Sequence, residues 1–262
     1  MHRKLRFITC AGILICLLLM FCACDALPDQ LKTVRLTGEE KTVTVPLHDD
    51  GGLALSVDLH FISGGHTVTV LPVPEGASPH AVITYPADFD DYGFSAVQTG
   101  DEFSLSTAQD CNFTAQHFSV TLYADVSSYT LVGSLALTAD AAQIPQQTLS
   151  LDVTGGAVIR MEHICADALQ LKIDGAADVV LSGEAAVLTA VINGAGVLDA
   201  AALDAGDAAV TVNGIGMAKL KCEGTLNAEI NGAGSILYDG TPTLTKTING
   251  LGTVSQLPDE AT

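Results

Sequence analysis

Ile192-Asn193-Gly194-Ala195-Gly196 returns as Val212-Asn213-Gly214-Ile215-Gly216, as Ile230-Asn231-Gly232-Ala233-Gly234 and as Ile248-Asn249-Gly250-Leu251-Gly252. Weaker copies stand upstream at Ile173-Asp174-Gly175-Ala176-Ala177 and Val153-Thr154-Gly155-Gly156-Ala157. The first glycines fall at 155, 175, 194, 214, 232 and 250, a period of 18 to 20 residues. A fixed period of that size marks a solenoid.

Aligned on that glycine, the coils show what repeats. Two residues before it stand Val153, Ile173, Ile192, Val212, Ile230 and Ile248. Four before stand Leu151, Leu171, Ala190, Val210, Ala228 and Lys246, and six before stand Leu149, Leu169, Leu188, Ala208, Leu226 and Leu244. A period of two gives a strand with one face turned inward. Four residues after the glycine, Ile159, Val179, Leu198, Ala218, Ile236 and Val254 open a second inward strand. The Asn-Gly-x-Gly between them is a corner, and both residue types tolerate positive φ.

The coil is too short for a helix, a strand and their connections. The sequence therefore predicts an all-β fold: a right-handed parallel β-helix with 18- to 20-residue coils stacked about 4.8 Å apart. Asn193, Asn213, Asn231 and Asn249 form a polar column at the corner, expected to bond to backbone groups of the neighbouring coil. The plainer reading is that each asparagine merely tolerates its turn. Cys165 and Cys222 lie 57 residues apart, three repeats. Both read as buried small hydrophobes, roughly 14 Å apart and too distant to bridge.

The Asn-Gly-x-Gly repeats, with Leu198-Asp199-Ala200-Ala201-Ala202-Leu203 and Ile236-Leu237-Tyr238-Asp239-Gly240-Thr241-Pro242, resemble the head GIN domain of auto-transporter adhesins. The resemblance is strongest over 147–256 and continues loosely through Phe118-Ser119-Val120-Thr121-Leu122-Tyr123. It implies a β-helical, exported protein, often a lipoprotein, and supplies no reaction. The chain departs from the family's usual Ser-Gly-x-Gly-Asp corner, with asparagine for serine and the following aspartate surviving only as Asp178.

At the start, His2-Arg3-Lys4-Leu5-Arg6 is basic, Phe7 to Phe21 is apolar, and Cys22-Ala23-Cys24-Asp25-Ala26 follows, the order of an export signal. Cys24 after small Ala23 suits lipoprotein processing, with lipid attached to Cys24. Cleavage after Ala26 with simple secretion, and an uncleaved anchor of about 18 apolar residues, are the alternatives. All three put the body outside the cytoplasm.

The formal charge is −19, and it becomes −22 once residues 1–23 with their three basic residues are removed, leaving 8 basic against 30 acidic. Such a surface repels nucleic acid and anionic lipid. Of seven cysteines, only Cys111, Cys165 and Cys222 lie in the body, without metal-site spacing.

The expected organisation is a signal peptide at 1–24, a tether at 25–40, an irregular N-terminal β cap at 41–138, the solenoid at 139–257 and a tail at 258–262. Leu131, Gly133 and Leu137 already fit the coil template weakly. Lys246 and Gln256 break apolar columns at the far end, as a last coil meeting water would.

No Gly-x-Ser-x-Gly elbow, phosphate loop or His-Glu-x-x-His occurs. His48, His60, His66, His80, His117 and His163 read as surface or strand histidines. The acidic turns His48-Asp49-Asp50 and Asp88-Phe89-Asp90-Asp91 lack a Ca²⁺-loop pattern and read as solvated turns, so no metal or cofactor is assigned. A polysaccharide lyase needs a basic proton acceptor beside carboxylates, for which Arg160, Lys172, Lys219, Lys221 and Lys246 are the solenoid's candidates. The preferred reading is a non-catalytic cell-surface binding module for a glycan or protein ligand. A self-associating envelope scaffold is the alternative.

Overall fold

The computed structural model describes residues 33–257, apart from 49–51, 62–64, 109–110, 116 and 142–145. The expected signal peptide and Cys24, the first half of the tether, and the tail lie outside the described residues. Strands make up nearly all of the rest, in a β-solenoid of about six turns with an irregular N-terminal region.

The N-terminal strands are β1 (Thr33–Leu36), β2 (Glu40–Pro46), β3 (Leu53–Asp58), β4 (His66–Leu71), β5 (His80–Pro86), β6 (Ser95–Thr99), β7 (Glu102–Ser106), β8 (Asn112–Ala115) and β9 (Phe118–Tyr123). The coils follow as β10 (Val126–Asp140), β11 (Gln146–Gly175), β12 (Asp178–Gly194), β13 (Val197–Gly214), β14 (Met217–Cys222), β15 (Thr225–Gly232), β16 (Ser235–Asp239), β17 (Thr243–Gly250) and β18 (Thr253–Gln256).

Parallel pairing carries the predicted columns. Ile173, Ile192, Val212, Ile230 and Ile248 are successive partners, and so are Leu169, Leu188, Ala208, Leu226 and Leu244. Within a coil the inward residues exchange volume: Leu188 sits two residues from Ala190, Ala208 from Val210, and Leu226 from Ala228. All six side chains are buried. Pairing a large residue with a small one within a coil helps these three coils fill a similar cross-section.

Parallel stacking extends upstream of the repeats. β10 pairs with β11 in unbroken register from Ser128↔Ser150 to Asp140↔Glu162. Its other side pairs with β3 and β4, which in turn pair with β7 and β9, all parallel. The coil of β3 and β4 thus lies between β10 and the coil of β7 to β9, so spatial order departs from chain order. Antiparallel β5 and β2 then close one side and β6 another, while β1 joins β8. Closure by antiparallel strands covers an edge that would otherwise pair with other chains.

Aromatic side chains fill this cap. Phe89, on a 3₁₀ turn at Ala87–Tyr92, is fully buried. Its ring lies 4.8 Å from Phe94 and 5.0 Å from Phe113. His66 is a strand histidine and not a surface one: it is buried and stacks on Phe61 at 3.9 Å. Its period-two position in β4 points inward, which the strand pattern around Val68 and Val70 already implied.

Candidate functional site

The corner repeat uses its three fixed residues for three separate reasons. Gly194, Gly214, Gly232 and Gly250 have φ of 127°, 148°, 153° and 150°. A Cβ on Gly194 would also come within 2.5 Å of the Gly175 carbonyl oxygen. That oxygen accepts the Ala195 N–H at 3.0 Å, and the Gly194 oxygen accepts from Ile215 at 2.9 Å. The second glycines do not have positive φ, contrary to expectation. They face inward, where a Cβ on Gly234 would stand 2.6 Å from Val212 Cγ1. Core packing, not backbone conformation, excludes a side chain there.

The asparagines do not have positive φ either, and they do not bond to backbone of the next coil. Instead they bond to one another. Asn213 Nδ2 donates to Asn193 Oδ1, Asn231 Nδ2 to Asn213 Oδ1, and Asn249 Nδ2 to Asn231 Oδ1, each at 2.8 Å. Asn193 Nδ2 donates to Asp174 Oδ1 at 2.6 Å, so Asp174 heads the ladder as pure acceptor. A primary amide carries both donor and acceptor, which lets a column of them link head to tail at the strand spacing. Lys172 bonds to Asp174 from the side, and with Asn193 it holds that carboxyl below the usual carboxylate range.

Cys165 departs from its expected burial. Its partners run Glu184, Asp204 and Lys221, whereas Cys222 falls in the neighbouring column of Ala166, Ala185 and Ala205. Bulges at Met161/Ile164 and Ala200/Asp204 change the coil length, so three repeats of sequence do not return to one column. Cys165 is exposed, Cys222 and Cys111 are buried, and all three are free thiols.

Cys165 lines an open groove of about 350 Å³ with Asp167, Glu184 and Asp204. Beside it Lys221 bonds to Asp204 at 2.6 Å, with Asp239 and Glu223 close enough to act on its charge. The Asp204 hydrogen bond raises the Lys221 pKa above its ordinary value. A lysine held as ammonium is a poor proton acceptor, which is the opposite of what lyase chemistry requires. In the cap, Asp88 Oδ2 accepts the Thr37 N–H at 2.8 Å, and Asp90 bonds to Lys41 at 2.6 Å and to Tyr85 at 3.0 Å. Among the described residues no three His, Cys, Asp or Glu converge on a point where a metal ion could sit.

The most extensive exposed feature is a continuous sheet face. Eleven strands lie side by side in the order β2, β5, β9, β4, β10, β11, β12, β13, β14, β16, β18. At about 4.8 Å per strand the face is about 48 Å long. Two files of outward side chains run along it. On the cap half one file reads Thr42, Thr84, Ser119, Thr67 and the other Thr44, Val82, Thr121, Thr69. On the coil half they become Val158, Asp178, Val197, Met217, Ser235 beside Arg160, Val180, Asp199, Lys219, Leu237. Arg160, Asp178, Asp199 and Lys219 are the charged members of the two files and cancel, in a chain of net charge −19.

Known proteins place this architecture. A family model described as "putative auto-transporter adhesin, head GIN domain" matches residues 91–242. The chain belongs to that family. Its fold is similar to that of a putative adhesin from Bacteroides fragilis, at TM-score 0.68 and 16% identity over 86% of this chain and all of that one. Putative adhesins from Parabacteroides distasonis and Parabacteroides merdae are similar at TM-scores 0.56 and 0.52, with 17% and 18% identity. Those two comparisons cover 86% and 87% of this chain and the whole of each relative. No curated protein matches this head GIN chain. The asparagine ladder, linked through its own side chains, replaces the serine corner that the resemblance led one to expect.

Proposed function

We propose that the chain is a non-catalytic, adhesin-like binding module, held outside the cytoplasm by lipid on Cys24, that lays a glycan or protein ligand along the cap half of its long sheet face. The observation that carries this reading is the face itself. It is some 48 Å long, and its two files are lined on the cap half by threonine and serine around Val82 and carry charges that cancel, on an acidic body. Hydroxyls both donate and accept, so they can pair with the hydroxyls and amides of such ligands. Carboxylates elsewhere on the surface repel anionic neighbours. The head GIN family and the export-type N-terminus support the extracytoplasmic placement.

The test is binding of the protein to glycan and matrix-protein arrays, compared with Thr69→Glu and Thr121→Glu. Retention of signal by both variants, at unchanged folding, would remove the face from the reading. Radiolabelled palmitate in the wild type but not in Cys24→Ser tests the anchor.

A further inference from the structure

We propose that the coil half of the long face is a self-complementary surface on which a second copy of this chain docks, forming a two-fold dimer about an axis parallel to the strands between β13 and β14. Val197 and Met217, each 39% exposed, are apolar side chains paired on adjacent strands of one face, and Val158, 46% exposed, lies in the same file two strands from Val197 with Asp178 between them. An apolar pair at the centre of a face offers a covering surface a contact to bury.

Charge selects the occupant. Two bodies of net charge −19 repel over most of their surface. In the two files of this half Arg160 and Lys219 balance Asp178 and Asp199. A two-fold axis along the strands places each file on itself with strand order reversed. Asp199 then lies over Lys219 of the second copy and Lys219 over its Asp199, while Val197 and Met217 cover each other. The next pair outward sets Val180 over Leu237. Like charges meet nowhere in this arrangement. Asp199 and Lys219 already stand 3.9 Å apart within one chain, so the dimer joins two ion pairs into a four-membered network.

Strands of the two copies run in the same direction, the aligned mode of sheet packing with faces about 10 Å apart. Six strands about 4.8 Å apart, crossed by about 13 Å of strand, give a footprint on the order of 400 Å² per copy. Standard interfaces bury about 800 Å² per partner. The dimer is therefore a weak one, populated at high local concentration such as a membrane surface supplies, and it leaves the hydroxyl-lined cap halves uncovered.

Sedimentation velocity of the full chain in mild detergent, over a wide concentration range, tests this. The wild type should pass from monomer to dimer with concentration. Lys219→Glu and Met217→Glu, both at outward positions, should each weaken the dimer about tenfold or more. Asp199→Lys combined with Lys219→Glu exchanges the two charges and should restore it. A wild type that stays monomeric throughout, a dimer indifferent to Lys219→Glu, or a charge exchange that fails to restore association each overturns the proposal.

Discussion

Asn213 Nδ2 donates to Asn193 Oδ1 at 2.8 Å while Asn213 Oδ1 accepts from Asn231 at the same distance. An interior member of this ladder therefore holds two hydrogen bonds, and Asn249 at its end holds one. Asn213→Ala removes both and should cost about 1–2 kcal/mol. Asn249→Ala, on an exposed coil, should stay within about 0.5 kcal/mol. Urea denaturation of the two variants checks the contrast. Equal losses would mean that the asparagines serve only their local turns.

The second glycines of different corners predict different costs. A Cβ on Gly196 meets the Cγ2 methyls of Ile192 and Ile173 at 3.0 and 3.1 Å, and the nearest backbone atom, the Ala177 carbonyl oxygen, lies at an ordinary 3.5 Å. On Gly234 it meets Val212 Cγ1 at 2.6 Å and the Gly216 carbonyl oxygen at 2.7 Å, and backbone does not yield. Gly196→Ala should lose about 1 kcal/mol and Gly234→Ala about 3 kcal/mol. Denaturation midpoints at equal m-value are the measurement.

The inward columns were legible because a strand repeats every second residue and a glycine fixes the phase of each coil. Ile192, Val212, Ile230 and Ile248 follow from that alone. The exposure of Cys165 was not legible, because bulges change coil length without changing composition, and counting repeats then misplaces a residue by one column. The choice of Asn193 and Asn213 to bond each other was equally hidden, since a side-chain amide and a backbone amide offer the same donors and acceptors. The long face escaped the sequence for a topological reason. Its cap half is assembled from β2, β5, β9 and β4, out of chain order and partly antiparallel, so Thr44, Thr121 and Thr69 share no local pattern.

Thiol chemistry separates the cysteines of the body. Cys165 is open to solvent, whereas Cys222 is buried with its Sγ 3.3 Å from the Gly206 carbonyl oxygen. Burial raises the Cys222 thiol pKa, so thiolate is scarce as well as inaccessible. A water-soluble maleimide should label Cys165 in the folded protein and reach Cys111 and Cys222 only after denaturant. Peptide mapping by mass spectrometry reads this directly, and rapid native labelling at Cys222 would contradict the packing.

Asp174 gives the ladder a dependence on acid. Its carboxyl is held low first by Lys172 and then by the Asn193 amide, so the folded protein releases this proton more readily than the unfolded chain. The resulting stability is fully present above the ordinary carboxylate value of about 3.9 and disappears as pH falls through the lower folded value. Asp174→Asn keeps an acceptor for Asn193 but cannot titrate. The variant should be less stable than wild type at pH 7, and the gap should narrow as pH falls below the ordinary carboxylate value, by denaturant midpoints. A difference that stays constant as pH falls would assign the effect to shape, not charge.

Lys246 sets the last test. It pairs with Ala228 in an inward column that is otherwise Leu171, Ala190, Val210 and Ala228, and it is exposed on β17. Around it Ile248 is 39% exposed, and Thr243 to Gln256 contain no carboxylate in a chain with 30. An inward-pointing lysine opposes addition of another chain at this edge because its polar head would be buried by any added strand. Lys246→Leu extends the apolar column to the edge. It should yield species larger than a dimer in light scattering at concentrations where the wild type gives none, while Lys246→Gln, still polar, should behave as wild type. If Lys246→Leu remains as small as the parent, strand addition at this edge is prevented by something other than a polar side chain in the inward column.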